Sequence, residues 1–293
     1  MPLHLPDSSV FEVQMDDPDF RQLLNRFHLS WEGYRKVRKG VKKRLDRHMQ
    51  EIGCRRFGEY LQAINDSSAL AHECRLLLTV SISRFFRDRR LWEVLETDIL
   101  PEVFQENRKE VRAWSAGCAL GQEVYTFKMV WQKVGQARGQ GPRLRLWATD
   151  MNPDYLCRAQ AGLYPRSSLK EVPEVFLHAS FRPLRGKRSF AIDDALKDEV
   201  VWETRDLLSP PPATGFHFVF LRNNLLTYYK AERKVPAFAN IAASITRGGY
   251  LMIGSHEAIP SGFKGHFTCR HRSGILKKTG QERSWGRWQN LDA

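Results

Sequence analysis

The run VRAWSAGCALGQEVY, residues 111–125, decides the fold class of this chain. Val111 to Ala116 is a short apolar run typical of a buried strand, and the spacing from Glu123 to Val134 predicts a helix. Small residues between the two elements let a ligand approach the backbone closely, and a helix N-terminus offers free N–H groups. The glycines do not have G-x-G-x-x-G spacing, so the run alone does not indicate a dinucleotide site.

Strand and helix patterns alternate on both sides of this run. Further strands are predicted at Leu144 to Thr149, Val200 to Thr204, Phe216 to Leu221 and Gly249 to Ile253, and helices at Leu91 to Phe104, Pro153 to Ala161 and Glu232 to Ser244. This alternation predicts an α/β fold whose mostly parallel sheet is covered by helices on both faces. It lapses between Tyr164 and Val200, where Ser189 to Ile192 is predicted to be a strand of a small inserted subdomain.

The N-terminal part of the chain has helical apolar spacing instead of this alternation. Apolar residues step by four from Val37 to Met49, which predicts a basic helix with Ser30 as its N-cap and Gly53 at its end. We therefore predict a basic, all-helical N-terminal domain followed by an α/β domain. The predicted bounds are 1–88 for the first, 89–293 for the second and about 165–200 for the insertion.

The charge of the 293-residue chain is strongly positive and unevenly distributed. The formal net charge is +13, and residues 31–60 hold ten basic side chains against four acidic ones. Such a field favours an acidic partner, which can be a nucleic acid, an anionic membrane surface or an acidic protein. No apolar run approaches the roughly 18 residues that a membrane span needs, and the N-terminus lacks a secretory pattern. We therefore predict a cytoplasmic protein without membrane insertion.

Cysteines and histidines do not form a recognisable metal or disulfide pattern. The five cysteines are scattered without a C-x-x-C pair, and none of the nine histidines has H-E-x-x-H spacing. His271 with Cys269 is the nearest approach to a ligand pair. We therefore predict neither a disulfide framework nor a metal site.

The second predicted strand ends at Asp150, where a carboxylate suits two adjacent ribose hydroxyls. In an open parallel sheet, ligands bind at the carboxyl ends of the strands near the switch point. The glycine run and Asp150 fit such a site. They fit equally well a tight packing turn with a helix-capping aspartate, so this pair alone leaves both interpretations open.

Five blocks of sequence occur together in a set order. They are Ser81 to Asp88 (SISRFFRD), Trp114 to Tyr125, Ala148 to Asp150, Arg222-Asn223, and Gly254 to Glu257 (GSHE). Together they resemble the CheR-type protein-glutamate methyltransferases of bacterial chemotaxis, along nearly the whole chain. The resemblance implies a class I methyltransferase fold that binds S-adenosyl-L-methionine (SAM) and releases S-adenosyl-L-homocysteine (SAH). The implied partner is an acidic protein substrate, the cytoplasmic helices of chemoreceptors.

The resemblance also assigns the site residues. The cofactor-binding positions are Ser81, Ser83, Arg87, Gly117, Glu123, Asp150, Asp206, Leu207, Arg222 and Asn223. Arg87 and Tyr228 are the catalytic candidates, with Arg87 steadying the acceptor. Several of these residues also have a structural interpretation, as a surface arginine, as a glutamate stabilised by the helix dipole, or as a cap or turn residue. Phe85 and Phe86 are predicted to lie in the core.

The chain departs from the family pattern next to Asn223. The family usually has C-R-N, three apolar residues and then tyrosine, whereas here Thr227 aligns with that tyrosine and Tyr228 follows it. Ser81 and Ser83 stand where asparagine and threonine are usual. These changes leave open a CheR-like methyltransferase with another acceptor, such as a small molecule or nucleic acid, and a non-catalytic module that binds SAM or SAH. A purely nucleic-acid-binding protein is disfavoured because the basic stretch lacks interleaved aromatic residues.

Overall fold

The structure, a computed structural model, describes residues 14–81, 83–106, 108–139, 141–184 and 188–280. The chain divides into two compact units, and the division follows Val80. The sequence pattern placed this division after Asp88 instead. The segment from Ser81 to Asp88 belongs to the second unit, which also contains the four other blocks of the family resemblance.

The described part of the first unit, residues 14–80, contains five helices. They are α1 (Asp17–Arg26), α2 (Trp31–Tyr34), α3 (Arg38–Glu51), α4 (Phe57–Asp66) and α5 (Ser68–Leu77). The basic helix is α3, and Ser30 is not its N-cap: Ser30 precedes the four-residue α2, and its side chain makes no capping bond. The predicted end of the basic helix at Gly53 is close, since α3 ends at Glu51 and Gly53 has φ +78°. Glycine is the residue that most readily takes this left-handed conformation.

The second unit holds a large sheet, a small sheet and seven helices in its described part. The helices are α6 (Arg89–Val94), α7 (Leu100–Gln105), α8 (Gln122–Arg138), α9 (Pro153–Ala161), α10 (Glu174–Ser180), α11 (Leu225–Tyr228) and α12 (Ala231–Ser244). The strands are β1 (Glu110–Ala116), β2 (Arg143–Asp150), β3 (Leu163–Pro165), β4 (Phe181–Pro183), β5 (Ser189–Ile192), β6 (Val200–Thr204), β7 (Phe216–Leu221), β8 (Ile245–Ile253), β9 (Phe267–His271) and β10 (Ile275–Lys278). A π-helical turn, Leu95–Ile99, joins α6 to α7.

The large sheet has seven strands in the order β6-β2-β1-β7-β8-β10-β9. The first five strands are parallel, and β10 pairs antiparallel with both β8 and β9. Buried apolar residues form one cluster around Phe127, Phe218 and Phe220 and a second around Trp114, Phe216 and Phe238. The predicted mostly parallel sheet with a core on both faces is confirmed, and its switch point lies between β1 and β7.

The predicted insertion is a three-stranded antiparallel sheet in the order β3-β5-β4. The ring of Phe85 lies edge-on to Tyr164 at 4.8 Å and to Phe181 at 5.1 Å between centroids. Phe85 and Phe86 are both buried, as predicted. Because Phe85 belongs to the first family block, that block is packed directly against the insertion.

Candidate active site

The loop after β1 wraps around the carboxyl end of β2. The amides of Gly117 and Cys118 both donate to the carbonyl of Thr149, at 2.8 and 2.9 Å. Gly117 and Gly121 have φ +78° and +82°, the left-handed region that favours glycine. These bonds fix the loop at the switch point of the sheet, where an α/β fold binds its ligand.

Gly117 also lets the side chain of Asn224 approach the backbone closely. A Cβ atom on Gly117 would lie 2.5 Å from Nδ2 of Asn224 and 3.6 Å from Cδ1 of Leu207. The Asn224 amide itself donates to the carbonyl of Ala116. A side chain at position 117 would therefore displace Asn224 from the end of β1.

Alanine at position 117 is expected to reduce cofactor affinity at least about tenfold and to destabilise the protein by about 1–3 kcal/mol, because it adds backbone strain and a steric conflict. Gly139→Ala is the matched control, since Gly139 has φ +84° but no atom lies within 4 Å of the position that a Cβ would take there. Calorimetry with SAH and thermal unfolding of both variants separate the two effects. Equal losses in both variants would contradict the role of the close approach at Gly117.

Asp150 ends β2 and is buried beside the same loop. Its Oδ2 accepts the amide of Ala119 at 2.9 Å, and its Oδ1 accepts the amide of Asn152 at 3.0 Å. Burial raises the pKa of the Asp150 carboxyl, and the surrounding backbone N–H groups partly oppose this shift. Each carboxylate oxygen has further lone pairs, so the side chain can still accept hydrogen bonds from a diol.

A buried arginine links three of the family blocks. The Arg222 guanidinium donates from Nη1 to Oε2 of Glu123 at 2.9 Å and from Nη2 to Oδ2 of Asp88 at 2.6 Å. Its side chain is only 4% exposed, and Nη2 also donates to the carbonyl of Arg87 at 3.1 Å. Oε1 of Glu123 accepts the hydroxyl of Ser115 at 2.8 Å. The network holds the first block against the start of α8.

Arg87 and Asn223 meet on the other side of this network. Nη2 of Arg87 donates to Oδ1 of Asn223 at 3.2 Å. The carbonyl of Arg87 also accepts the indole N–H of Trp92 at 2.8 Å. Asn223 has φ +56°, an uncommon conformation for a non-glycine residue. Two predicted site residues that are far apart in sequence are therefore in direct contact.

Tyr228 lies near the same pair. Burial raises the pKa of its phenol, the positive charge of Arg87 lowers it, and the carboxylate of Glu257 raises it. The hydroxyl of Thr227 donates instead to Oε1 of Glu257 at 2.5 Å. Position 227, where the family resemblance predicts a tyrosine, is thus engaged with Glu257, and the phenol of the next residue is the one on which the charge of Arg87 acts.

The remaining predicted residues are less connected. Leu207 lies against the glycine loop, and Oδ1 of Asp206 accepts the amide of Leu208 at 3.0 Å. The amide of Ser83 donates to the carbonyl of Ser81 at 3.0 Å. Within the described ranges, no hydrogen bond joins either serine side chain to the other predicted residues.

The donor set fits SAM. Asp150 can bind the ribose diol, and the absence of a Cβ at Gly117 lets Asn224 and Leu207 lie close to the glycine loop. Two buried polar atoms at this end of the sheet, Oε1 of Gln122 and Nε of Arg222, have no hydrogen-bond partner among the described residues. In the part of the chain that the structure describes, no group of three or more metal-binding side chains is found. None of the described helices is both long and apolar enough to cross a membrane.

The fold and the site define a class of protein. The seven-stranded sheet, the glycine loop after β1 and the buried acidic residue that ends β2 are those of a class I SAM-dependent methyltransferase. The family described as "CheR methyltransferase, SAM binding domain" matches residues 81–274. The chain belongs to this family, and it is a SAM-dependent methyltransferase.

Two relatives named chemotaxis protein methyltransferase agree with this assignment. The chemotaxis protein methyltransferase of Listeria monocytogenes is 33% identical over 203 residues, which cover 69% of this chain and 75% of the relative. That of Listeria innocua is 32% identical with the same coverage. Among solved structures, the N-methyltransferase NodS from Bradyrhizobium japonicum in complex with SAH is 13% identical with a TM-score of 0.37, covering 75% of this chain and 99% of that chain.

Sequence reasoning missed several residues of the site. Asp88 and Ser115 complete the ion network, and Asn224 fixes the end of β1. Glu257 closes the fifth family block, but no role was predicted for it. Asp88 and Glu257 end the first and the fifth family blocks. Their membership of these blocks was the signal that could have identified them. Their partners lie too far along the chain for spacing to reveal them.

Proposed function

We propose that this protein transfers the methyl group of SAM to glutamate carboxylates on the cytoplasmic helices of chemoreceptors. Its membership of the CheR family supports this acceptor, and so do relatives named chemotaxis protein methyltransferases. The observation that carries the proposal is the contact of Arg87 with Asn223 at 3.2 Å, with the Tyr228 phenol near enough for the charge of Arg87 to oppose the rise in its pKa that burial causes. A guanidinium and a phenol can both donate hydrogen bonds to an acceptor carboxylate.

The proposed cofactor roles follow the positions of the side chains. Asp150 binds the ribose hydroxyls, Asp206 and Leu207 contact the adenine, and the backbone at Gly117 adjoins the methionine part. Glu123, Arg222 and Asn223 hold the methionine part from the other side. Ser81 and Ser83, in the first family block, also contact the cofactor. These assignments rest on the family resemblance and on the contacts described above.

The chemistry requires little proton transfer. SAM supplies an activated methyl on a sulfonium. A glutamate carboxylate is already ionised at neutral pH, so no strong general base is needed. Arg87 and Tyr228 orient the acceptor oxygen in line with the S–CH₃ bond and exclude water. One C–O bond forms, the S–CH₃ bond breaks with its electron pair left on sulfur, and SAH is the leaving group.

The basic N-terminal unit is proposed to attract the acidic substrate. Some of its cations have structural roles, since Arg44 donates to the carbonyls of Leu77 and Thr79. Others form an exposed stripe along α3 at i, i+4 and i+8, namely Lys39, Lys43 and Arg47. Such a stripe suits an acidic helix, and we propose the cytoplasm as the place where the two proteins meet.

Labelled SAM and membranes rich in chemoreceptors test this function. We expect base-labile methyl groups on receptor protein, and we expect Arg87→Ala to lower the turnover number about 100-fold because the acceptor loses its guanidinium. Arg89→Ala is the matched control, since Arg89 is exposed and forms an ion pair with Glu93 on its own helix. Cofactor binding without any label on receptor, or full turnover by Arg87→Ala, would contradict the proposal.

Thr227 favours a second class of methyl acceptor. The family tyrosine is absent from this position, and the phenol near Arg87 comes from the next residue. A methyl acceptor of different shape is therefore the second candidate, and label on a small molecule or nucleic acid, but not on receptors, would support it.

A further inference from the structure

Glu257 joins three parts of the site through one carboxylate. Its Oε2 accepts the amide of Asn223 at 2.8 Å and that of Gly254 at 2.7 Å. Its Oε1 accepts the hydroxyl of Thr227 at 2.5 Å. The carboxylate thus connects the loop after β8 with both ends of the segment from Asn223 to Tyr228.

The surroundings of Glu257 are built to fit this carboxylate. A Cβ on Gly254 would lie 2.8 Å from Oε2 of Glu257 and 2.9 Å from Oδ1 of Asn223. Only glycine leaves room for both oxygens at that point. Asn223 has φ +56°, and the bond from its amide to Glu257 holds it in that unfavourable conformation.

Each end of the held segment leads to a catalytic candidate. At one end, Oδ1 of Asn223 accepts a hydrogen bond from Nη2 of Arg87 at 3.2 Å. At the other, Thr227 is tied to Glu257. Neighbouring residues of a helix differ in direction by about 100°, so the side chain of Tyr228 leaves the helix in a different direction from that of Thr227, and the charge of Arg87 acts on its phenol. A tyrosine at position 227 would take up the space of the Thr227–Glu257 bond.

We propose that Glu257 is a positioning residue for methyl transfer: it orients Arg87 through Asn223 and, through Thr227, selects Tyr228 as the phenol of the acceptor site. The inference rests on the proposed function in one respect, since it takes Arg87 and Tyr228 as the acceptor groups. Glu257 itself contacts neither the methyl donor nor the acceptor in this scheme.

Two substitutions of Glu257 test whether the hydrogen bonds of its side chain are needed for methyl transfer. Glu257→Gln can keep all three contacts, because its carbonyl accepts both amides and its NH₂ group donates to Thr227. Glu257→Ala loses all three. We expect Glu257→Ala to lower kcat for receptor methylation about 10- to 100-fold, and Glu257→Gln to stay within about threefold of wild type. SAH affinity should fall less than kcat in Glu257→Ala, because Asn223 is only one of the proposed cofactor contacts and Glu257 makes no hydrogen bond to Asp150 or the glycine loop, and it should stay close to wild type in Glu257→Gln.

The Thr227 side of the proposal has its own variant pair. Thr227→Val replaces the hydroxyl by a methyl group and should lower kcat several-fold. Thr227→Ser keeps the hydroxyl and should have a kcat close to that of wild type. His256→Ala, an exposed neighbour in the same loop, is the control that should behave as wild type.

Hydrogen exchange of the amides at 222–228 provides a measurement that does not depend on the acceptor. Exchange should accelerate in Glu257→Ala and remain slow in Glu257→Gln. If wild type methylates no receptor, the proposed function fails, and exchange alone decides whether Glu257 holds the segment. Unchanged exchange in Glu257→Ala, equal losses of kcat and SAH affinity, or a Glu257→Gln variant as weak as Glu257→Ala would each overturn the positioning role.

Discussion

Asparagine in place of Asp150 is expected to weaken SAH binding by about 100-fold or more while changing the stability of the apo-protein little. An ionised carboxylate contributes about 1.5–3 kcal/mol for each hydrogen bond that it accepts, and a ribose diol offers two. The asparagine side chain has no negative charge, and its NH₂ group faces a ribose hydroxyl that also donates a hydrogen bond. Because Asp150 is buried between two backbone amides, no nearby water can replace the lost acceptor at low cost.

The stability of the apo-protein is expected to change little, because two effects of the substitution oppose each other. Burial raises the pKa of Asp150 above its unfolded value of 3.8, so the folded state favours the protonated form. The ionised carboxylate therefore costs stability once the pH rises through the folded pKa, and this cost is absent below the unfolded pKa. At neutral pH the asparagine variant is relieved of this cost but loses one amide acceptor. We expect the two effects nearly to cancel.

Calorimetry with SAH and thermal unfolding measure the two effects of this substitution. Asp154→Asn is the matched control, since Asp154 is exposed in the first turn of the neighbouring helix α9. Affinity within threefold of wild type in Asp150→Asn would refute the proposed ribose contact. A large loss of thermal stability would assign Asp150 chiefly to holding the loop.

Local pattern was sufficient for most elements of the second unit. Four predicted elements have the observed bounds: Pro153–Ala161, Ser189–Ile192, Val200–Thr204 and Phe216–Leu221. Proline at the start of α9 and Gly162 in the left-handed conformation at its end mark the helix in the sequence itself. Phe216–Leu221 is a nearly continuous apolar run and mostly buried, as expected where a parallel sheet is covered on both faces.

Local pattern failed where distant contacts decide the structure. Ser30 has the right residue type for a cap, but the chain makes a separate short helix before α3 starts at Arg38. The antiparallel strands β9 and β10 were not predicted individually, because their residues are mostly half-exposed and their apolar pattern is weak. Whether an edge strand forms depends on the partner that the fold brings beside it.

The same limit applies to the site. The family blocks predicted a site at the carboxyl ends of the parallel strands. Its predicted residues include Arg87, Glu123, Asp150, Arg222 and Asn223. The blocks did not reveal that Arg222 binds Glu123, 99 residues earlier, and Asp88, 134 residues earlier. Parallel strands bring their carboxyl ends together only once the order of the sheet is known, and spacing along the chain does not contain that order.

Replacing Arg222 by methionine is expected to destabilise the protein by about 3–5 kcal/mol, because it leaves two carboxylates partly buried without their cation. The Arg222 side chain is 4% exposed, and its partners Glu123 and Asp88 are 15% and 29% exposed. Methionine nearly fills the same volume, so a cavity contributes little to this loss. Urea unfolding of the second unit measures it, and cofactor affinity should fall in parallel because the network fixes the first block.

A compensated variant identifies the cause of this instability. In the triple substitution Asp88→Asn, Glu123→Gln and Arg222→Met, no unpaired charge remains, so we expect more than half of the lost stability to return while cofactor binding stays weak. Arg270→Met is the surface control: Arg270 pairs with Glu102, both side chains are nearly half exposed, and such a pair contributes about 0–1 kcal/mol. A triple variant no more stable than Arg222→Met alone would show that Arg222 stabilises the fold by packing against Trp92 and its neighbours, and not by neutralising Asp88 and Glu123.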